Sequence, residues 1–155
     1  MKTELAHLNL LLAWLWILLG FVSGMGLGMF FHGEKWLGGY ASLKRRMYRL
    51  GHISFFGLGV VNFIFAMTLQ SLAVAGQPAV VASWAFGIGA LTMPLCCVIM
   101  AHFPKAHLIF AVPVVALILG GALTLTLMMQ ELKTTGPAST LSVSAKAQPT
   151  TINSP

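Results

Sequence analysis

Acidic side chains are almost missing from this sequence. Glu4, Glu34 and Glu131 are its only carboxylates among 155 residues, and they stand far apart. Catalysis by paired carboxylates therefore has no basis here. Charged residues of both signs amount to 8%, against about 25% in soluble domains. So few charges cannot clothe a water-facing surface, whereas a lipid bilayer asks for no polar exterior. Cysteine is equally scarce. Cys96 and Cys97 are adjacent, which rules out both a disulfide framework and a spaced zinc motif.

Charge is absent altogether from four long apolar windows, residues 8–31, 50–72, 79–101 and 108–129. A membrane-crossing helix needs about 20 such residues, so each window is long enough. Their lack of Asp, Glu, Lys and Arg argues against an ion-coupled permease or a proton relay. The first window exceeds the 7–15 residues of a signal-peptide core and no clear cleavage site follows it, so it reads as a retained helix. The expected fold is all-α: an integral membrane antiparallel four-helix bundle over residues 1–132. After Lys133 the composition turns small, polar and proline-bearing, which predicts a disordered extracytoplasmic tail over 133–155.

The charges that are present have a pattern. The net charge is +6, and Lys35, Lys44, Arg45, Arg46 and Arg49 all fall between the first two windows, with Lys105 between the last two. The connection between the second and third windows carries none. The positive-inside rule places the cationic loops in the cytoplasm and both termini outside. This is the arrangement expected in a bacterial inner membrane. Lys44, Arg45, Arg46 and Arg49, with Trp36 and Tyr40, read as headgroup contacts, each cation contributing about 1 kcal/mol on an anionic surface. Such a distribution suits lipid and gives no reason to expect nucleic acid. A turn is expected at Gly38–Gly39, followed by a short interfacial helix over residues 41–49.

Small residues recur along the windows at helical spacing. Gly20, Gly24 and Gly28 form one stripe, a pattern that lets a second helix approach closely. Gly59 and Asn62 in the second window, Gly87 in the third and Gly120 in the fourth are further packing candidates. The second window aligns His52, Gly59, Asn62 and Ala66 on one face, which should turn inward, with Ile53, Val60, Phe63 and Met67 outward. Pro78 suits a first helical turn, and Pro94 and Pro113 are expected to kink their helices.

Histidine carries the one hint of chemistry. His32, His52, His102 and His107 all fall at window ends that share a face. A neutral imidazole ligates haem iron or copper, and a bundle can offer one from each of two helices. His52 with His102 is the leading pair for haem b. Met93, Cys97 and Met100 form a sulfur stripe leading to His102, a donor set that suits Cu(I). Both are alternatives to plainer roles, since histidine also marks helix ends and Met and Cys also fill apolar space. The primary expectation is a non-enzymatic structural or accessory subunit, with no assured cofactor, packing through its small faces against partner membrane subunits or a second copy.

Overall fold

A computed structural model describes residues 2–73 and 76–134, all of whose regular structure is helical. Four helices follow one another: α1 Lys2–Phe30, α2 Leu43–Ser71, α3 Gln77–His102 and α4 Ala111–Thr134. A 3₁₀ turn, Trp36–Gly38, lies in the first connection, and a second 3₁₀ segment, Pro104–Phe110, leads into α4. All four are long and apolar enough to cross a membrane, taking Pro104–Thr134 as the last. The tail expected over 133–155 falls outside the described residues from 135 onward.

Local chemistry sets the boundaries. Ser42 caps α2, its hydroxyl accepting from the Arg45 amide, which satisfies one of the open donors at the helix start. Because α2 is continuous from Leu43, the interfacial helix expected over 41–49 is simply its first turns. The turn ahead of it runs through Leu37, Gly38 and Gly39 at φ of 52°, 85° and 90°, backbone that glycine adopts without steric cost. Pro78 stands in the first turn of α3. Pro113 is the third residue of α4, just after the 3₁₀ segment Pro104–Phe110 that runs into it.

Each helix packs chiefly on the next in sequence, with a lesser contact between α1 and α3. Positions on α1 fall as those on α2 rise: Gly24 meets His52, Gly20 meets Phe56, and Gly59 meets Ile17 and Ala13. Between α1 and α3 both rise together. Asn9 meets Ser83, Leu12 meets Gly87, and Trp16 meets Ala90. The buried stripe of α1 is Ala6, Asn9, Ala13, Trp16 and Gly20, so its first half carries most of the contact. A core of Ala6, Phe65, Leu69, Leu72, Ala79, Ala82, Phe86 and Leu127 fills the same end of the fold. Outward positions are just as apolar: Leu11 is 71% exposed and Ile118 66%.

Polar links hold this end, among them Lys2 Nζ donating to Leu72 O. Asn9 is buried and its Nδ2 donates to Leu5 O and to the Ser83 hydroxyl. The Trp16 indole N–H donates to Ala90 O at 2.9 Å. That carbonyl is special. Pro94 has no N–H, so Ala90, four residues earlier, has lost its intrahelical donor. An orphan carbonyl in apolar surroundings costs about 1–3 kcal/mol, and Trp16 supplies the missing proton from the neighbouring helix.

Candidate functional site

Below Trp16 the helices α1 and α3 part, leaving a cleft of about 590 Å³, open along one side. Leu19, Ser23, Gly26, Leu27 and Phe30 of α1 form one wall, and Leu91, Pro94, Leu95 and Val98 of α3 the other. Tyr48, Gly51, His52 and Phe55 of α2 make the floor, and Trp36 stands at the loop end. The closed end is set by the Trp16–Ala90 link. Gly51 also lets α2 come close to α3: a Cβ there would lie 3.3 Å from Cys97 Cβ and 3.8 Å from Pro94 O.

His52 sits beside this cleft with its ring held by α1. Its Nδ1 lies 3.0 Å from the Ser23 hydroxyl, and that hydroxyl also reaches Gly20 O at 3.1 Å. One hydroxyl proton serves both bonds only if it goes to Gly20 O while His52 Nδ1–H donates to Ser23. The ring packs edge-on against Phe56 at 5.4 Å. Its Cε1 fills the space a Cβ on Gly24 would need, at 2.7 Å. Gly20 makes the matching recess for the Phe56 ring, at 2.9 Å. These glycines are sockets for aromatic rings of α2 rather than points of backbone contact. Gly59 is the position of backbone contact, 3.1 Å from Ala13 O by the same measure. Gly120 forms a third socket, for Phe86 at 3.0 Å. Gly87 meets only Leu12, at 3.8 Å, and Gly28 has nothing within 4 Å.

The other histidines turn elsewhere. His102 is exposed, its Nδ1 3.1 Å from Val98 O and its ring edge-on to Tyr48 at 6.2 Å. Among the described residues His52 and His102 thus take different hydrogen-bond partners, Ser23 and Val98 O. His32 and His107 are both exposed. The residues of the sulfur stripe lie along one face of α3, each with its own neighbours. Met93 packs beside Trp16, Leu58 and Ala90, Cys97 is buried beside Gly51, and Met100 is half-buried nearer the helix end. Cys96 points its thiol at Ile109 O, 3.4 Å away. Among the described residues no three His, Cys, Asp or Glu side chains converge as metal ligands would.

The loop end of the molecule holds a correction. Arg45 is not a headgroup contact, because it is 1% exposed. Its guanidinium lies 3.8 Å from the Tyr40 ring centroid, 4.5 Å from Phe31 and 5.7 Å from Trp36. Nη2 donates to Phe31 O at 2.7 Å and Nη1 to Gly33 O at 3.5 Å. The carbonyls just past the end of α1 thereby gain a cation, where the helix dipole favours one. Trp36 and Tyr40 are accordingly walls of this box. Lys44, Arg46 and Arg49 remain exposed.

Sequence reasoning passed over Asn9, Trp16, Ser23 and Gly51. Asn62 is the polar packing candidate of the second window. Asn62 instead donates to Leu58 O in its own helix, and its Oδ1 is buried without a partner among the described residues. The signal for Asn9 was available: with Ala6, Ala13, Trp16 and Gly20 it repeats at spacings of three and four. Neither a family model, nor a curated protein, nor a solved structure matches this chain significantly.

Proposed function

We propose that the chain is an integral membrane protein, an antiparallel four-helix bundle with its cationic loops in the cytoplasm and both termini outside. Its role is non-enzymatic: an accessory subunit that presents the α1–α3 cleft as a receiving surface. The observation that carries this reading is how the polar side chains along the helices are spent. Asn9 and Ser83 join α1 to α3, Trp16 serves the carbonyl freed by Pro94, and Ser23 holds His52. Each is engaged in assembling helices, and an apolar cleft remains beside them.

Support for the membrane comes from four apolar helices with exposed Leu, Ile, Val and Phe on their outer faces. Such surfaces suit lipid, where the backbone is satisfied within each helix. Support for the orientation comes from Lys44, Arg46, Arg49 and Lys105, which fall in or next to the first and third connections, the ones the positive-inside rule assigns to the cytoplasm. Absorption spectra and metal analysis of the protein, purified after growth with haem and copper, test this reading against a haem- or copper-binding electron-transfer module. The expected result is a colourless chain with far less than one metal per molecule. A Soret band that disappears in His52→Ala would overturn it.

A further inference from the structure

A second cavity, of about 490 Å³, lies between the start of α2 and the end of α3. Gly38 of the first connection, Ser42 and Lys44, and Ala101, His102 and Pro104 are among the residues that line it. Its two ionisable side chains, Lys44 and His102, come from different helices, and both are exposed. Tyr48 stands one turn beyond Lys44, on the same face of α2, and packs edge-on against the His102 ring at 6.2 Å. That contact sets the Lys44 face of α2 toward His102. The lining holds no carboxylate, and Glu34, the one acid of the first connection, is not part of it. On the elements beside His102 the other titratable groups are Tyr48, Arg45, Arg46 and Arg49 of α2, with Lys105 and His107 of Pro104–Phe110. None of them lines the cavity.

Counting donors shows what the cavity can offer. The Ser42 hydroxyl is already spent, donating to Leu37 O at 2.5 Å and accepting from the Arg45 amide at 3.2 Å. The Lys44 ammonium has no partner among the described residues. His102 is more constrained. Its Nδ1 lies 3.1 Å from Val98 O, and a carbonyl only accepts, so Nδ1 carries a proton. In the neutral ring Nε2 is then a bare acceptor, with nothing to give an anion. The ring presents a donor at Nε2 only by taking a second proton, which makes it a cation opposite Lys44. Two positive charges on facing helices match a phosphate monoester, which carries about −1.5 to −2 and three acceptor oxygens. A carboxylate would match only one of them. We infer that this cavity binds a phosphate monoester between Lys44 and His102, and that His102 takes up one proton from solvent as it binds. A phosphomonoester lipid headgroup and a free phosphate ester share that chemistry. The argument holds for either threading of the chain, so it goes beyond the membrane reading.

The test measures binding of radiolabelled sulfate to the full chain in detergent by scintillation proximity. Sulfate stays doubly charged across the interval in which histidine side chains change charge, about pH 5 to 8, so any pH dependence belongs to the protein. Binding should be saturable and about tenfold tighter at the acidic end of that interval, the ratio one charge-assisted hydrogen bond supplies. His102→Gln should still bind sulfate but lose the pH dependence, because an amide donates at every pH. Lys44→Gln should weaken binding by about tenfold throughout and leave the pH ratio intact. Lys105→Gln, an exposed cation outside the lining, should change neither. All three side chains are exposed, so none of these substitutions disturbs the core. Competition then identifies the source. Short-chain phosphatidic acid displacing sulfate at concentrations about tenfold below those of glycerol phosphate identifies a headgroup, and equal potency identifies a free ester. Displacement by neither would overturn the proposal. So would an absence of saturable binding, binding that ignores pH in the unsubstituted chain, or equal losses in Lys105→Gln and Lys44→Gln.

Discussion

Replacing Arg45 with alanine is expected to lower the stability of the detergent-solubilised chain by about 2–4 kcal/mol. The side chain is buried, so its loss opens a hole lined by Phe31, Trp36 and Tyr40. It also leaves Phe31 O and Gly33 O without their donor. Lysine at 45 should recover part of the loss. It keeps the charge but lacks the planar fork that reaches two carbonyls while lying against rings. Arg46→Ala, one residue on and exposed, should change stability by no more than about 0.5 kcal/mol. Unfolding by SDS in mixed micelles measures all three. Equal effects of R45A and R46A would show that the aromatic box contributes nothing.

The second large effect is expected at Gly59. A Cβ there would lie 2.9 Å from Ile17 Cγ1 and 3.1 Å from Ala13 O. Ile17 can swing aside, but a helix carbonyl cannot move without its helix. Gly59→Leu should therefore push α1 from α2 and cost about 3 kcal/mol or more, at the upper end of overpacking penalties. Gly28→Leu supplies the contrast, because nothing lies within 4 Å of that position. Its cost should be below about 0.5 kcal/mol. If the two variants unfold alike in the same SDS titration, the glycines act through something other than helix contact.

The contrast also explains what the sequence could and could not tell. The four helices were legible because unbroken apolar runs of this length have one economical backbone solution in lipid. The Gly38–Gly39 turn was legible because paired glycines allow positive φ. Spacing alone could not say that Gly20 and Gly24 meet rings of α2 while Gly28 on the same stripe meets nothing. That depends on where α1 leaves its neighbours. Arg45 was invisible for a related reason, since within a run of cations only the fold decides which one turns inward. The Trp16–Ala90 bond needed three residues on two helices, with Pro94 creating the vacancy and Trp16 meeting it. His52 reads differently in the light of Ser23 and Gly24, whose contacts give its ring a role in joining α1 to α2.

The central proposal is the threading of the chain through a bilayer with its basic loops inward. Single-cysteine labelling tests it most directly, in a Cys96→Ala, Cys97→Ala background with Lys35→Cys in the first connection or Gln77→Cys at the start of α3. Both positions are exposed. With a membrane-impermeant maleimide on intact cells, Q77C should label readily, and K35C should label only after the cells are opened. Labelling of K35C on intact cells with Q77C protected would invert the topology, and equal labelling of both would contradict a spanning bundle.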